Sequence, residues 1–174
     1  MFKNLKKNNT QEDILYNNIL SLSRNKILYT TFNLTDTFQN RVYLIFMHIS
    51  FLFIKIKQSK QKEIYKIFYQ KMFDLIFNKI ELNMREIGYG DTIINKNMKF
   101  FVTVFYNILL NCENLNKKSL NHKEIFFLKY LEHNNTGKKE NNAHLVEYFD
   151  KYQSFCLDLS LDSVLKGDLN FKYK

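Results

Sequence analysis

The sequence predicts an all-α fold, a single compact domain of about six helices. Three observations carry this. Apolar residues recur every three or four positions through long windows, as one buried helix face requires, and no stretch alternates with the period of two of a strand. The 174 residues contain four glycines and no proline, and no glycine precedes residue 88, so long helices run unbroken. Two of those glycines, Gly88 and Gly90, then stand together between two helical patterns.

Residues 1–9 are polar and basic and are expected to be a flexible start, with the helical domain covering residues 10–171. Thr10 with Asp13 resembles a capping box, opening a helix with Ile14, Leu15, Ile19 and Leu22 on its apolar side. Residues 24–35 lack periodicity and are expected to be an irregular connection carrying Tyr29 and Phe32 into the core. Thr35 or Asp36 is the expected cap of the second long helix. That helix holds the most apolar run in the chain, Val42 to Ile54, interrupted only by His48 and Ser50. Its length of about 20 Å falls short of the roughly 30 Å of bilayer hydrocarbon, and lysines close it, so a central core helix is expected.

Ser59 is the expected cap of a third helix running to about Ile87. Tyr65, Phe68, Met72, Ile76, Ile80 and Met84 recur along one side of it, with polar residues opposite. Gly88 suits the left-handed position just past this helix, and Asp91 the cap of the next. The fourth helix, Ile94 to Leu110, is apolar apart from a stripe of Lys96, Lys99, Thr103, Asn107 and Asn111, which predicts burial between other helices. Asn121 with Glu124 opens a shorter helix to about Glu132. A flexible polar loop over 134–143 leads to the last helix, marked by Leu145, Tyr148, Phe149, Tyr152, Phe155, Cys156 and Leu159. The tail from Gly167 is short and basic.

Composition bounds the function. A chain of this length buries roughly 70% of its unfolded surface, and aromatic residues, 16% of the total without a tryptophan, supply the core. Cys112 and Cys156 lie far apart with no paired spacing, which implies a reducing compartment and no zinc ribbon. The net charge of +9 points to an acidic partner, either an anionic membrane surface or RNA and the ribosome. DNA is not expected. A genome rich in A and T inflates Lys, Asn, Ile, Phe and Tyr and accounts for the charge equally well. Lys55, Lys57, Lys60, Lys62 and Lys66 form an expected basic patch around the start of the third helix. The first residues show neither an apolar signal segment nor an arginine-rich presequence.

Chemistry is mostly absent. Gly88-Tyr89-Gly90 follows a helix, whereas a phosphate-binding glycine loop follows a strand and needs more glycines. His48, His122, His133 and His144 are dispersed, so no metal site is expected. His48 is expected to be a hydrogen-bonded core histidine, with haem ligation the lesser alternative. Glu86 and Asp91 fit an ion pair with Arg85 and a helix cap better than an acid–base couple. No cofactor and no enzymatic activity are expected.

Three blocks carry a resemblance. Phe38-Gln39-Asn40-Arg41 is followed seven residues on by His48; Met84-Arg85-Glu86-Ile87-Gly88-Tyr89-Gly90-Asp91 forms the glycine corner; Lys96-Asn97-Met98-Lys99 precedes Phe105-Tyr106. In order and spacing these resemble the ubiquinol–cytochrome c chaperone family. Met47 stands where that family usually has leucine, and Asn107 where it has glycine. The resemblance implies an all-α, non-enzymatic assembly factor of the cytochrome bc1 complex, with cytochrome b or another bc1 subunit as client. The ribosome and a small partner subunit are further partners that it implies. With no presequence, the expected setting is a bacterial cytoplasm, peripheral to the inner membrane. The expected partner surface is Arg85, Glu86, Tyr89, Asp91, Lys96 and Lys99. The competing reading is a generic basic helical adaptor for RNA or an anionic membrane.

Overall fold

A computed structural model describes residues 10–134 and 142–173. The basic start, residues 1–9, and most of the polar loop expected at 134–143 lie outside the described residues. The order is α1 (Gln11–Ser23), α2 (Lys26–Thr30), α3 (Phe38–Lys57), α4 (Lys62–Ile87), α5 (Asp91–Cys112), a 3-10 turn (Leu115–Lys117), α6 (Leu120–Tyr130), α7 (Asn142–Asp158) and α8 (Leu161–Lys166). The six long helices match the expected count. The two short ones were not legible as helices in the sequence.

Helix α3 is the axis. Every residue from 42 to 54 is buried, and α1, α4, α5 and α7 all pack against it. Each large apolar side chain fully withdrawn from water contributes about 1.5–3 kcal/mol, which makes this helix the chief hydrophobic contributor. Phe46 anchors an aromatic cluster, with its ring 5.5 Å from that of Phe77 and 5.2 Å from that of Phe105. Among the described residues no helix is long and apolar enough to cross a membrane.

Helix boundaries follow hydrogen bonding. Thr10 and Asp13 form the expected capping box. Thr37 caps α3 by accepting from the Asn40 amide at 3.2 Å, in place of the expected Thr35 or Asp36. Asp36 is committed to Arg41 instead, and the Thr35 amide bonds the Glu132 carbonyl. Ser59 does not open α4; its amide closes the end of α3 on the Ile56 carbonyl, and its hydroxyl has no partner among the described residues. Residues 24–35 are more ordered than expected: Asn25 caps α2, Phe32 is buried and the Tyr29 hydroxyl donates to the Ser23 carbonyl. Helix α6 starts after Ser119, slightly ahead of the expected Asn121.

Asn40, only 1% exposed, locks the start of α3 to the segment after α6. Its amide nitrogen donates to the carbonyls of Thr35 and Glu132, both at 2.7 Å, and its oxygen accepts from the Glu132 amide at 2.9 Å. Beside it, Leu34 and His133 form an antiparallel bridge. His48 is the expected core histidine. Nδ1 lies 2.6 Å from the Leu44 carbonyl, an acceptor, so Nδ1 carries the proton; Nε2, 2.8 Å from the Tyr148 hydroxyl, accepts from it. Lys123 reaches both carboxylate oxygens of Asp150 at 2.7 and 2.8 Å and ties α6 to α7.

Two glycines end helices in the left-handed region for different reasons. Gly88 (φ +99°) has open space where a Cβ would stand, whereas at Gly167 (φ +80°) that atom would lie 2.9 Å from the Leu15 backbone nitrogen. Gly88→Ala is expected to cost about 1 kcal/mol of conformational strain. Gly167→Ala adds a clash with α1 backbone and is expected to cost roughly 2–3 kcal/mol. Chemical denaturation of both variants checks the order.

Candidate partner surface at the glycine corner

The corner is built by backbone bonds that a glycine makes possible. The amides of Gly88 and Tyr89 close the end of α4 on the carbonyls of Arg85 and Met84, each at 3.0 Å. Gly90 occupies the capping position of α5, so Asp91 sits in the first helical turn and does not cap. Its carboxylate accepts from Arg85 Nη1 at 2.6 Å, while Arg85 also reaches Glu81 at 2.9 Å. Arg85 therefore strings α4 to α5 across the turn. These two acceptors hold its guanidinium above the usual arginine range, Asp91 first. Glu86, expected as a partner of Arg85, makes no ion pair among the described residues and lines a crevice beneath the corner.

Tertiary structure brings the start of the first sequence block, the second block and the start of the third together here. The crevice, about 150 Å³, joins Phe38 and Arg41 at the start of α3 to Asn83, Glu86 and Ile87 at the end of α4. The Phe38 ring meets that of Phe101 edge-on at 6.3 Å, and the Asn97 amide approaches the Met84 sulfur at 3.9 Å. Residues spaced some 60 positions apart thus form one end of the bundle.

Helix α5 corrects the expectation of burial between helices. Its inner side, with Ile94, Phe101, Val104, Phe105, Ile108 and Cys112, packs on α3 and α4. Its outer side holds Ile93 (51% exposed), Phe100 (52%), Tyr106 and Leu110 as well as the polar stripe. Ile87 (59%) and Tyr89 (41%) are exposed at the corner, ahead of that apolar surface. Lys96 and Lys99 stand within it, exposed and without ion pairs among the described residues. The predicted partner residues Arg85, Tyr89, Asp91, Lys96 and Lys99 are therefore on one exposed end, with Glu86 at its margin. Sequence reasoning missed Ile87, Ile93 and Phe100, because exposed and buried apolar positions look alike in a helix that is apolar on two sides.

The basic patch is less uniform than its sequence. Lys55 turns inward and donates to the Leu157 carbonyl at the end of α7. Lys57 pairs with Glu113 at 2.5 Å and Lys66 with Glu63 at 3.0 Å. Lys60 and Lys62 are exposed, with no ion pair among the described residues. Lys57 and Lys66 edge an open groove of about 830 Å³ between α4 and α5, floored by Tyr65, Tyr69, Leu109 and Leu110. His48 is enclosed, and among the described residues no cluster of histidine, cysteine and carboxylate side chains could hold a metal.

Comparison with known proteins now decides the family. The ubiquinol–cytochrome C chaperone model matches residues 30–171, which span the α3 axis, the corner and the α6–α7 hairpin. The chain belongs to the ubiquinol–cytochrome C chaperone family. The fold is also that of the crystal structure of the Cbp3 homolog from Brucella abortus: TM-score 0.76 at 19% identity, over 94% of this chain and 89% of that one. Among curated proteins none matches the chain. The matched residues contain all three blocks that carried the resemblance; Phe38 and Arg41 of the first share the crevice at the glycine corner with Glu86 and Ile87 of the second, and Asn97 of the third approaches Met84.

Proposed function

We propose that this protein is a non-enzymatic assembly chaperone of the cytochrome bc1 complex, holding newly made cytochrome b at the cytoplasmic face of the inner membrane. Family membership supports the role. The observation that carries the client site is the set of exposed apolar residues Ile87, Tyr89, Ile93 and Phe100 at the corner and along α5, with the exposed lysines Lys96 and Lys99 on the same helix. Large apolar side chains left in water carry an unfavourable hydration free energy, which is relieved when a partner covers them. A hydrophobic segment of a membrane protein awaiting insertion has the matching surface. Its flanking acidic groups or lipid phosphates would meet Lys96 and Lys99. The ribosome and a small partner subunit, which the family resemblance implies, belong to the same proposal.

The test is a double substitution, Ile93→Asp with Phe100→Asp, in cells lacking the native gene. Both residues are exposed, so thermal stability is expected to stay close to that of the unaltered protein. Recovery of cytochrome b by in-cell crosslinking is expected to fall at least tenfold, with assembled bc1 complex and its haem b absorbance falling in step. Unchanged assembly with a folded variant sinks this reading. The basic-adaptor alternative predicts binding to any anionic polymer with a steep salt dependence. The ion pairs of Lys57 and Lys66 leave that alternative fewer free charges than the sequence suggested.

A further inference from the structure

The strongest unassigned feature lies on the other side of the corner, where α1 ends and α3 begins. A polar cup of about 380 Å³ is lined by Arg24, Lys26, Tyr29, Thr30, Asp36 and Arg41. It holds three cations and one carboxylate. Arg41 gives Nε and Nη2 to Asp36 at 2.6 and 2.8 Å and also donates to the Tyr29 hydroxyl oxygen. Arg24 and Lys26 are exposed and make no ion pair among the described residues. The hydroxyl protons of Tyr29 and Thr30 are already given to the Ser23 and Lys26 carbonyls, so the donors left for a ligand are Arg24, Lys26 and the remaining N–H groups of Arg41. The hydrogen bond from Arg41, reinforced by the charge of Arg24, holds the Asp36 carboxyl below the usual range and makes it a fixed charge.

Arg24 and Arg41 belong to two cavities at once. They also line the 150 Å³ crevice beneath the corner, whose wall is otherwise mostly apolar, with Leu20, Phe38, Val42, Ile45 and Ile80. Asn83 and Glu86 are polar members of that wall, and Glu86 brings the cation excess across both cavities down to one. A space of this size admits an apolar group as large as benzene. The arginines therefore stand where a cationic cup opens onto an apolar slot. Guanidinium forks match tetrahedral oxyanions in pairs, and an apolar slot beside them favours an anion that carries a hydrocarbon chain.

We infer that the cup and crevice form one site for an anionic phospholipid, its phosphate on Arg24, Lys26 and Arg41 and the first carbons of an acyl chain beside Phe38 and Ile80. The site adjoins the proposed client surface through Ile87, which lines the crevice, and it involves none of the exposed residues of α5. It makes the end of the bundle below the corner a lipid-reading element, and it assigns a partner to a basic cluster outside the lysine-rich start of α4.

The test uses the full-length protein and dihexanoyl phosphatidic acid below its micelle concentration, followed by calorimetry. Inorganic phosphate and dihexanoyl phosphatidylcholine are the comparison ligands. Phosphatidic acid is expected to bind at least tenfold more tightly than either, since phosphate lacks the chain and the choline lipid lacks net charge. Arg24→Glu, at an exposed residue with no ion pair among those described, is expected to keep the folded spectrum and lose tenfold or more in affinity. Asp36→Asn removes the competing carboxylate and is expected to tighten binding several-fold. Equal binding of phosphate and phosphatidic acid overturns the lipid assignment. So does unchanged binding in a folded Arg24→Glu variant.

Discussion

Asn40→Asp is expected to destabilise the protein by about 3–5 kcal/mol at pH 7, although it exchanges only an NH2 for an oxygen. The native amide nitrogen faces two carbonyl oxygens at 2.7 Å, those of Thr35 and Glu132. A carboxylate would put a third acceptor against them inside a site that is 1% exposed. Asn40→Leu should be milder. Both carbonyls keep another donor, since the Thr37 amide bonds Thr35 and the Thr35 amide bonds Glu132, each at 2.9 Å. Only the Glu132 amide then loses its partner. At roughly 2–4 °C per kcal/mol for a domain of this size, the aspartate variant should melt on the order of 10 °C lower. Burial among acceptors raises the folded-state pKa of the new carboxyl, so its penalty should shrink as pH falls towards the unfolded value. Thermal melts at two pH values check both the order of the variants and that trend. A leucine variant worse than the aspartate would refute the donor argument.

His48 gives the second large effect, in the opposite pH direction. Burial holds its imidazole neutral and lowers its pKa from 6.5 to about 4, with the hydrogen bond to the Leu44 carbonyl opposing. Between those values the unfolded chain binds the proton and the folded chain does not. Stability is therefore fully present above pH 6.5 and drains away as pH falls through that window, by on the order of 3 kcal/mol. His48→Phe should remove this slope while costing stability at pH 7, because the buried Tyr148 hydroxyl loses its acceptor. Urea denaturation of both proteins from pH 7 to pH 4 measures the difference. Parallel profiles would show that His48 does not carry the acid sensitivity.

Both residues lie in the block from Phe38 to His48 that carried part of the family resemblance, and both hold the framework together. Asn40 fixes the start of α3, and His48 fixes its middle against α7 through Tyr148. Their effect on any client surface is thus indirect: they set where α3 presents Phe38 and Arg41 to the corner.

The all-α class, the central buried helix, the amphipathic α4 and the break at Gly88 were legible because each rests on local spacing. Apolar period, glycine at positive φ and the Thr10–Asp13 box depend on residues a few positions apart. The short helices α2 and α8 were not, since five or six residues leave too little periodicity to stand out and their stability comes from packing. The exposure of Ile93 and Phe100 was also hidden, as were the inward turn of Lys55 and the meeting of Arg24 with Arg41. Those properties depend on which neighbour arrives from elsewhere in the chain. By itself the sequence determined the helices and the family signature, through interactions between near positions. Only the tertiary structure decided which faces of those helices remain in water, because burial is settled by contacts between residues tens of positions apart.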